Sequence, residues 1–506
     1  MKYTVAPRAG LTLLAAPWLV AVLGGCATAS AGPSSDAAMV RAPAAPASSV
    51  ARAEEATPAD AVGPVPKSGA APSKASPSGS GLRPFADVVK GARQIDGLFT
   101  VWQKDDKVWL ELKPSDLDQP FFMSPKSMTG IGEGKFFGGL MADEVVIEFR
   151  RVHNQLQMVA RNTEFVAQAG TPTGRAVEAA FSPSLLASTS VLSQPHPERQ
   201  SVLVEANALF INDMLGTGMR LQRTYRQGYS LDTRNSAITD VRATPDLLVL
   251  EVMNHYATGS IATPSSGGSG SSPSVPRSLA DPRSLFMNFH YSLAKLPEQP
   301  MAPRRADARV GYFTSSVTDF SDDLARTPRQ RYVNRWRLEK KDPAAELSEP
   351  VKPIVFWLDR TVPEKYRASI TAGVLEWNKA FEKIGFKNAL RVQLQPADAE
   401  WDTLDFGRAS IRWMTNASPS FGAIGPSHVD PRSGEILDAD IGIESLSSRN
   451  LRSLRAQVLA STTASGSNEH DGHGGEAAFG LRGKAHAFCD HADHAAEQLS
   501  YAMDVL

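Results

Sequence analysis

The side chains in this sequence best suited to chemistry gather toward its C-terminal end. His470, His473, His486, His491 and His494 lie there with Cys489 among them, and imidazole and thiolate are the ligands zinc prefers. His491 and His494 stand three residues apart, which makes them neighbours on a helix. A zinc site still needs three or four converging donors with ordered partners behind them. His470 and His473 sit in a Gly-rich stretch that cannot preorganise them, so these histidines read as solvated and no metal site is assigned. Asp438 and Asp440 alternate along a strand and share one face, where they suit a structural calcium ion or, as the preferred reading, the polar face of an edge strand. Ser427 and His428 offer a hydroxyl beside a base, but sequence neighbours rarely face each other, and no catalytic residue is assigned. Trp377 and Trp413 are candidate stacking residues. Trp377 is read as core and Glu376, one residue before it, as surface.

The elements that must position such residues begin after an export signal. Lys2 and Arg8 precede a largely apolar stretch from Leu11 to Leu23, then Gly24-Gly25-Cys26, the order of a secretory signal peptide. The apolar part is shorter than the roughly 20 residues that span a bilayer. Leu23-Gly24-Gly25-Cys26 resembles a bacterial lipobox, which makes Cys26 the expected lipidation site after removal of residues 1–25. The expected location is therefore the cell envelope, in the outer membrane or facing the periplasm, with plain secretion as the alternative. Ala27 in place of aspartate favours the outer membrane. Residues 26–82 are dominated by Ala, Pro, Ser and Gly and read as a disordered tether, because they hold too few large apolar side chains to offset ordering. With only two cysteines, Cys26 and Cys489, no disulfide framework is expected. The net charge of −1, without a basic stripe, excludes a nucleic-acid surface.

From residue 83 to 337 the pattern is that of strands. Leu98–Trp102 and Val108–Leu112 flank Lys104-Asp105-Asp106-Lys107 as a hairpin, and Val145–Phe149 and Leu156–Ala160 flank His153-Asn154 in the same way. Val202–Glu205 and Leu247–Val252 are further strands, and Ser265–Ser274 is a Gly/Ser loop. A charged connector, Leu338–Pro343, opens a region of different rhythm that runs to residue 506. Ile354–Leu358 is a buried strand. Pro363 opens a helix whose stripe is Tyr366, Ile370, Val374, Trp377, Phe381 and Ile384, and Gly385 closes it. Leu390–Leu394, Ala409–Met414 and Ile436–Glu444 are three further strands. The fold class is α+β, a β-rich N-terminal domain followed by a mixed α/β region.

Several local sequences carry a family resemblance: Arg309–Phe313, Arg335–Lys340, Val374–Phe381, Ala409–Trp413 and Gly434–Asp440. They resemble landmarks of a bacterial family of large exported zinc-dependent metalloproteases, metzincin-like, with domains of unknown function ahead of the peptidase domain. The resemblance implies that residues 338–506 form the front half of a zincin-like catalytic domain. It also implies that Ile436, Leu437, Asp438, Ala439, Asp440 and Ile441 lie on the strand that receives a peptide or protein substrate. In that family a helix with H-E-x-x-H follows, binding zinc through two histidines one turn apart. These 506 residues contain no H-E-x-x-H. The expectation is a truncated catalytic domain, inactive as written, without a cofactor of its own and with zinc expected in full-length relatives. The alternative is a non-catalytic binding or structural lipoprotein tethered to the envelope. The membrane, through the lipid anchor, is the expected partner in either case.

Overall fold

The computed structural model describes residues 81–263, 272–447, 449–450 and 453. Cys26, the signal and almost all of the tether lie outside the described residues. So do most of the Ser265–Ser274 loop, the five C-terminal histidines, Cys489 and the stretch from His491 to Leu506. Strand residues outnumber helical ones, 38% against 16%, so the fold is α+β with β dominant.

Both expected hairpins form. Thr100–Lys104 pairs Lys107–Leu112 across Asp105-Asp106, and Val145–Val152 pairs Gln155–Ala160 across His153-Asn154. Asp105 and His153 sit at φ 54° and 55°, the left-handed conformation that matches a two-residue turn to the twist of its strands. The first hairpin belongs to a four-stranded sheet completed by Arg93–Ile95 and Val202–Glu205. A three-stranded sheet joins Phe165–Val166, Thr314–Asp319 and Arg329–Val333.

The second hairpin belongs to a nine-stranded sheet. Its spatial order is Ser230–Leu231, Leu247–Ala257, Ser284–Lys295, Phe121–Ser127, Val145–Val152, Gln155–Ala160 and Ser184–Ser190. Ala237–Thr244 pairs Leu247–Ala257, and Leu140–Met141 pairs Phe121–Ser127, off that path. Alternation gives the sheet two unlike faces. Phe121 and Met123, Leu248 and Leu250, and Phe289, Tyr291 and Leu293 point into the main apolar core. The intervening residues include Ser124, Lys126, His290 and Ser292. A polar face of this kind normally meets water, yet all four are fully buried.

A six-stranded sheet covers them. Its order is Leu390–Leu394, Ile354–Leu358, Ser410–Met414, Glu435–Glu444 and Ala423–Ile424, with Ser427–Asp430 also pairing Glu435–Glu444. The first four strands run parallel, and the last two pair antiparallel. The helix Glu364–Glu376 is the crossover from the first strand in sequence to the second. It lays Tyr366, Ile370 and Val374 on Ile354, Phe356, Leu358, Leu390 and Ile411.

Of the expected apolar stripe, Tyr366, Ile370 and Val374 are buried and Phe381 packs partly buried against the same core. Trp377 is 53% and Ile384 65% exposed, which corrects the reading of Trp377 as core. The helix breaks at Trp377, and a second short helix, Asn378–Lys383, follows. Asn378 turns toward the sheet, where its amide accepts from Leu390 N at 2.8 Å and donates to Leu390 O at 3.1 Å. Trp377 lies about 100° round the helix from Asn378 and is carried outward. The described residues fall in one compact unit, within which the described parts of segments 83–337 and 338–506 pack together.

Candidate functional site

The expected substrate strand is interior. Ile436, Asp438 and Ala439 lie opposite Val429, His428 and Ser427 on one side, and Asp440 and Ile441 lie opposite Ser410 and Ile411 on the other. The implied role of Ile436, Leu437, Asp438, Ala439, Asp440 and Ile441 as an open edge is thus corrected. The edge belongs to residues 423–430, which fold back through Pro431-Arg432-Ser433-Gly434. Gly434 turns there at φ +72°, and a Cβ on it would meet Val333 O at 2.7 Å. Arg432 grips the buried Asp430 carboxylate at 2.7 and 2.9 Å. Sequence reasoning missed this return, although Asp-Pro-x-Ser-Gly between Val429 and Ile436 is turn chemistry.

The polar side of the Glu435–Glu444 strand is buried too: Asp438, Asp440 and Glu444 are 0%, 2% and 0% exposed. Neither a calcium site nor a solvated edge face describes it. Lys126 Nζ stands 2.7 Å from Asp438 Oδ2 and 2.7 Å from Asp440 Oδ2, so an ammonium fills the place between the carboxylates. Ser410 Oγ donates to Asp440 at 2.5 Å, and Ala439 N donates to Asp438 at 3.0 Å. Burial, reinforced by the like charge of Asp440, raises the Asp438 pKa against the pull of Lys126.

His428 is not a catalytic base for Ser427. Its Nε2 lies 2.7 Å from Ala142 O and its Nδ1 2.9 Å from Ser124 Oγ. A carbonyl can only accept, so Nε2 carries the proton and Nδ1 accepts from the serine hydroxyl. Burial pushes the imidazole down to about 4, so it is neutral at physiological pH.

A second buried cluster joins the same two sheets. Arg242 donates to both Asp405 oxygens at 2.7 and 2.9 Å, and His290 Nε2 stands 3.1 Å from Asp405. Burial alone would raise the Asp405 pKa, but His290 and Arg242 outweigh it and hold the carboxyl at about 2. Burial likewise opposes protonation of His290, and Asp405 and Glu251 override it, raising its pKa. These groups act as clamps, each engaged by its partner. Among the described residues no group of three or more His, Cys, Asp or Glu side chains is placed to hold a metal ion.

Comparison with known families divides the molecule along the line of these clamps. Residues 82–127 match a domain of unknown function, DUF5118, and residues 139–341 match another, DUF5117. No curated protein and no solved structure matches the chain. Lys126 falls in the first matched segment, and Arg242 and His290 fall in the second. Their partners Asp438, Asp440 and Asp405 all lie beyond residue 341, outside both.

Proposed function

We propose that this chain is the N-terminal, non-zinc portion of an exported zinc-dependent metalloprotease, tethered to the cell envelope by a lipid on Cys26. In this reading it supplies a substrate-presenting scaffold. The supporting observation is the six-stranded sheet: parallel strands, a crossover helix on one face and a short antiparallel strand, Ala423–Ile424, at the edge. Glu444 N donates to Gly422 O, so strand alternation turns the Ala423 amide and carbonyl outward. An extended peptide can add there through main-chain hydrogen bonds. The Leu23–Cys26 motif and the family landmarks from Arg309 to Asp440 support export and the protease relationship. The described residues do not fit a zinc ion, so no hydrolytic step is assigned to them.

The test combines purified full-length protein with an unfolded protein substrate and with membrane fractionation. The expected results are binding of the unfolded chain without stoichiometric zinc or chelator-sensitive cleavage, and release from membranes by Cys26→Ser. Stoichiometric zinc with chelator-sensitive cleavage would overturn the scaffold assignment. A second reading is a non-catalytic binding or structural lipoprotein tethered to the envelope. Reading the codons downstream of Leu506 separates the two: an H-E-x-x-H supports the protease, and an unrelated gene supports the binding module.

A further inference from the structure

Where the large and small sheets meet, beside the Arg242–Asp405 clamp, lies a cavity of about 780 Å³. One wall comes from Ile95 and Leu247, and the other from Trp357 and the connector that carries Glu400, Trp401 and Arg408. The volume is within the range of small-molecule sites. The Arg408 guanidinium lies 3.9 Å over the Trp401 ring, and Trp401 meets Trp357 edge-on with ring centres 4.9 Å apart. The Arg408 side chain makes no hydrogen bond or ion pair with any described residue. Stacking occupies only the face of its guanidinium, so the in-plane N–H donors remain open.

The connector is rigid enough to hold these groups in place. Buried Gln395 donates to Trp401 O at 3.0 Å, and Arg408 N donates to Asp405 O at 3.3 Å. Thr403, Leu404 and Asp405 between them are buried. Arg242, the neighbouring cation, is committed to Asp405 and Asp240. A half-buried guanidinium without an acceptor is unfavourable unless something fills it. Burial, with the like charge of Arg242 adding to it, outweighs the attraction of Asp405 and lowers its pKa.

We propose that this cavity binds a small organic carboxylate with a planar apolar body. The carboxylate engages the Arg408 fork, and the body lies against Trp357, Ile95 and Leu247. Charge selects the class. Arg93, Arg242 and Arg408 face Glu400 and Asp405 in the lining, an excess of one positive charge, which a singly charged group neutralises and a dianion exceeds. The mixed lining likewise suits a ligand with one polar end better than a free inorganic ion.

Benzoate, its neutral isostere benzamide and inorganic phosphate are suitable probes, titrated against the full-length protein by saturation-transfer NMR up to about 20 mM, since ligands this small bind weakly. Benzoate should bind saturably and about tenfold tighter than benzamide, the factor that one charge-assisted hydrogen bond supplies. Arg408→Gln should lower benzoate to the level of benzamide and leave benzamide unchanged. Its melting point should fall only slightly, since the stacking on Trp401 is lost but no acceptor is left unpaired. Arg408→Lys keeps the charge without the fork and should fall between the two, which provides a readout should the glutamine variant fold poorly. The assignment is overturned by equal binding of benzamide and benzoate, by unchanged benzoate binding in both variants, by phosphate matching benzoate, or by no saturable binding.

Discussion

Lys126 places a charge where no water reaches it and divides it between two carboxylates. One ammonium cannot neutralise both, so Ser410 and the Ala439 amide carry part of the load. Removing one partner of such a group leaves charge uncompensated, at a cost of about 3–5 kcal/mol. Lys126→Met should therefore lower unfolding free energy by about that amount in urea titration, and a loss under about 1 kcal/mol would refute the clamp. His428 gives a second prediction, through pH. Its folded pKa is depressed to about 4 from an unfolded value near 6.5, so between those values the unfolded chain binds the extra proton. Stability contributed by the neutral ring is present above pH 6.5 and is lost as pH falls toward 4. Wild type should lose on the order of 3 kcal/mol over that window relative to His428→Gln. Parallel curves for the two proteins would remove His428 as the cause. The sequence placed Asp438 and Asp440 on one face by alternation alone. It could not supply Lys126, 312 residues away from Asp438, and without that partner a solvated face is the natural reading.

Element by element, what was legible is what is local. The turns at Asp105-Asp106 and His153-Asn154 sit between strands that alternate cleanly, and both hairpins formed as read. The crossover helix was legible through Tyr366, Ile370 and Val374. Trp377 was misread because a hydrogen-bonding residue, Asn378, took the inward position from an apolar one. The short Ala423–Ile424 and Ser427–Asp430 strands were missed because neither is long enough to establish a period. The turn that creates them is nevertheless testable. Gly434→Ala places a Cβ 2.7 Å from Val333 O at a positive φ. Gly407 also has a positive φ, +81°, but a Cβ there meets nothing within 4 Å. Gly407→Ala should cost about 1–2 kcal/mol from backbone strain alone. Gly434→Ala should cost about 1–3 kcal/mol more, as expected for overpacking. Equal losses by denaturant titration would mean that the Val333 contact does not hold the turn.

At the scale of the whole molecule, the polar clamps decide what folds together. Family similarity ends at residue 341, and the sequence changes rhythm at the same place, so a domain boundary there is a natural expectation. The structure joins the two sides with charge. Separating them would leave Lys126 without its two carboxylates and take Asp405 from His290 and Arg242 on one part, and leave Asp438 and Asp440 without their cation on the other. Each orphaned group would draw in water or change protonation, and neither part would keep its inner face intact. Thermal or urea unfolding should therefore show one transition. Four of the eight tryptophans, Trp357, Trp377, Trp401 and Trp413, lie beyond residue 341, against Trp102, Trp109 and Trp336 in the first part, so fluorescence reports the second part more than its length would suggest. Far-UV circular dichroism is weighted to the larger strand content of the first. The two curves should coincide, as two-state unfolding requires. Residues 342–506 expressed alone should give no cooperative transition. If that fragment proved monomeric and melted sharply, the interface would be a docking contact between independent domains, and the buried ion pairs would be its consequence.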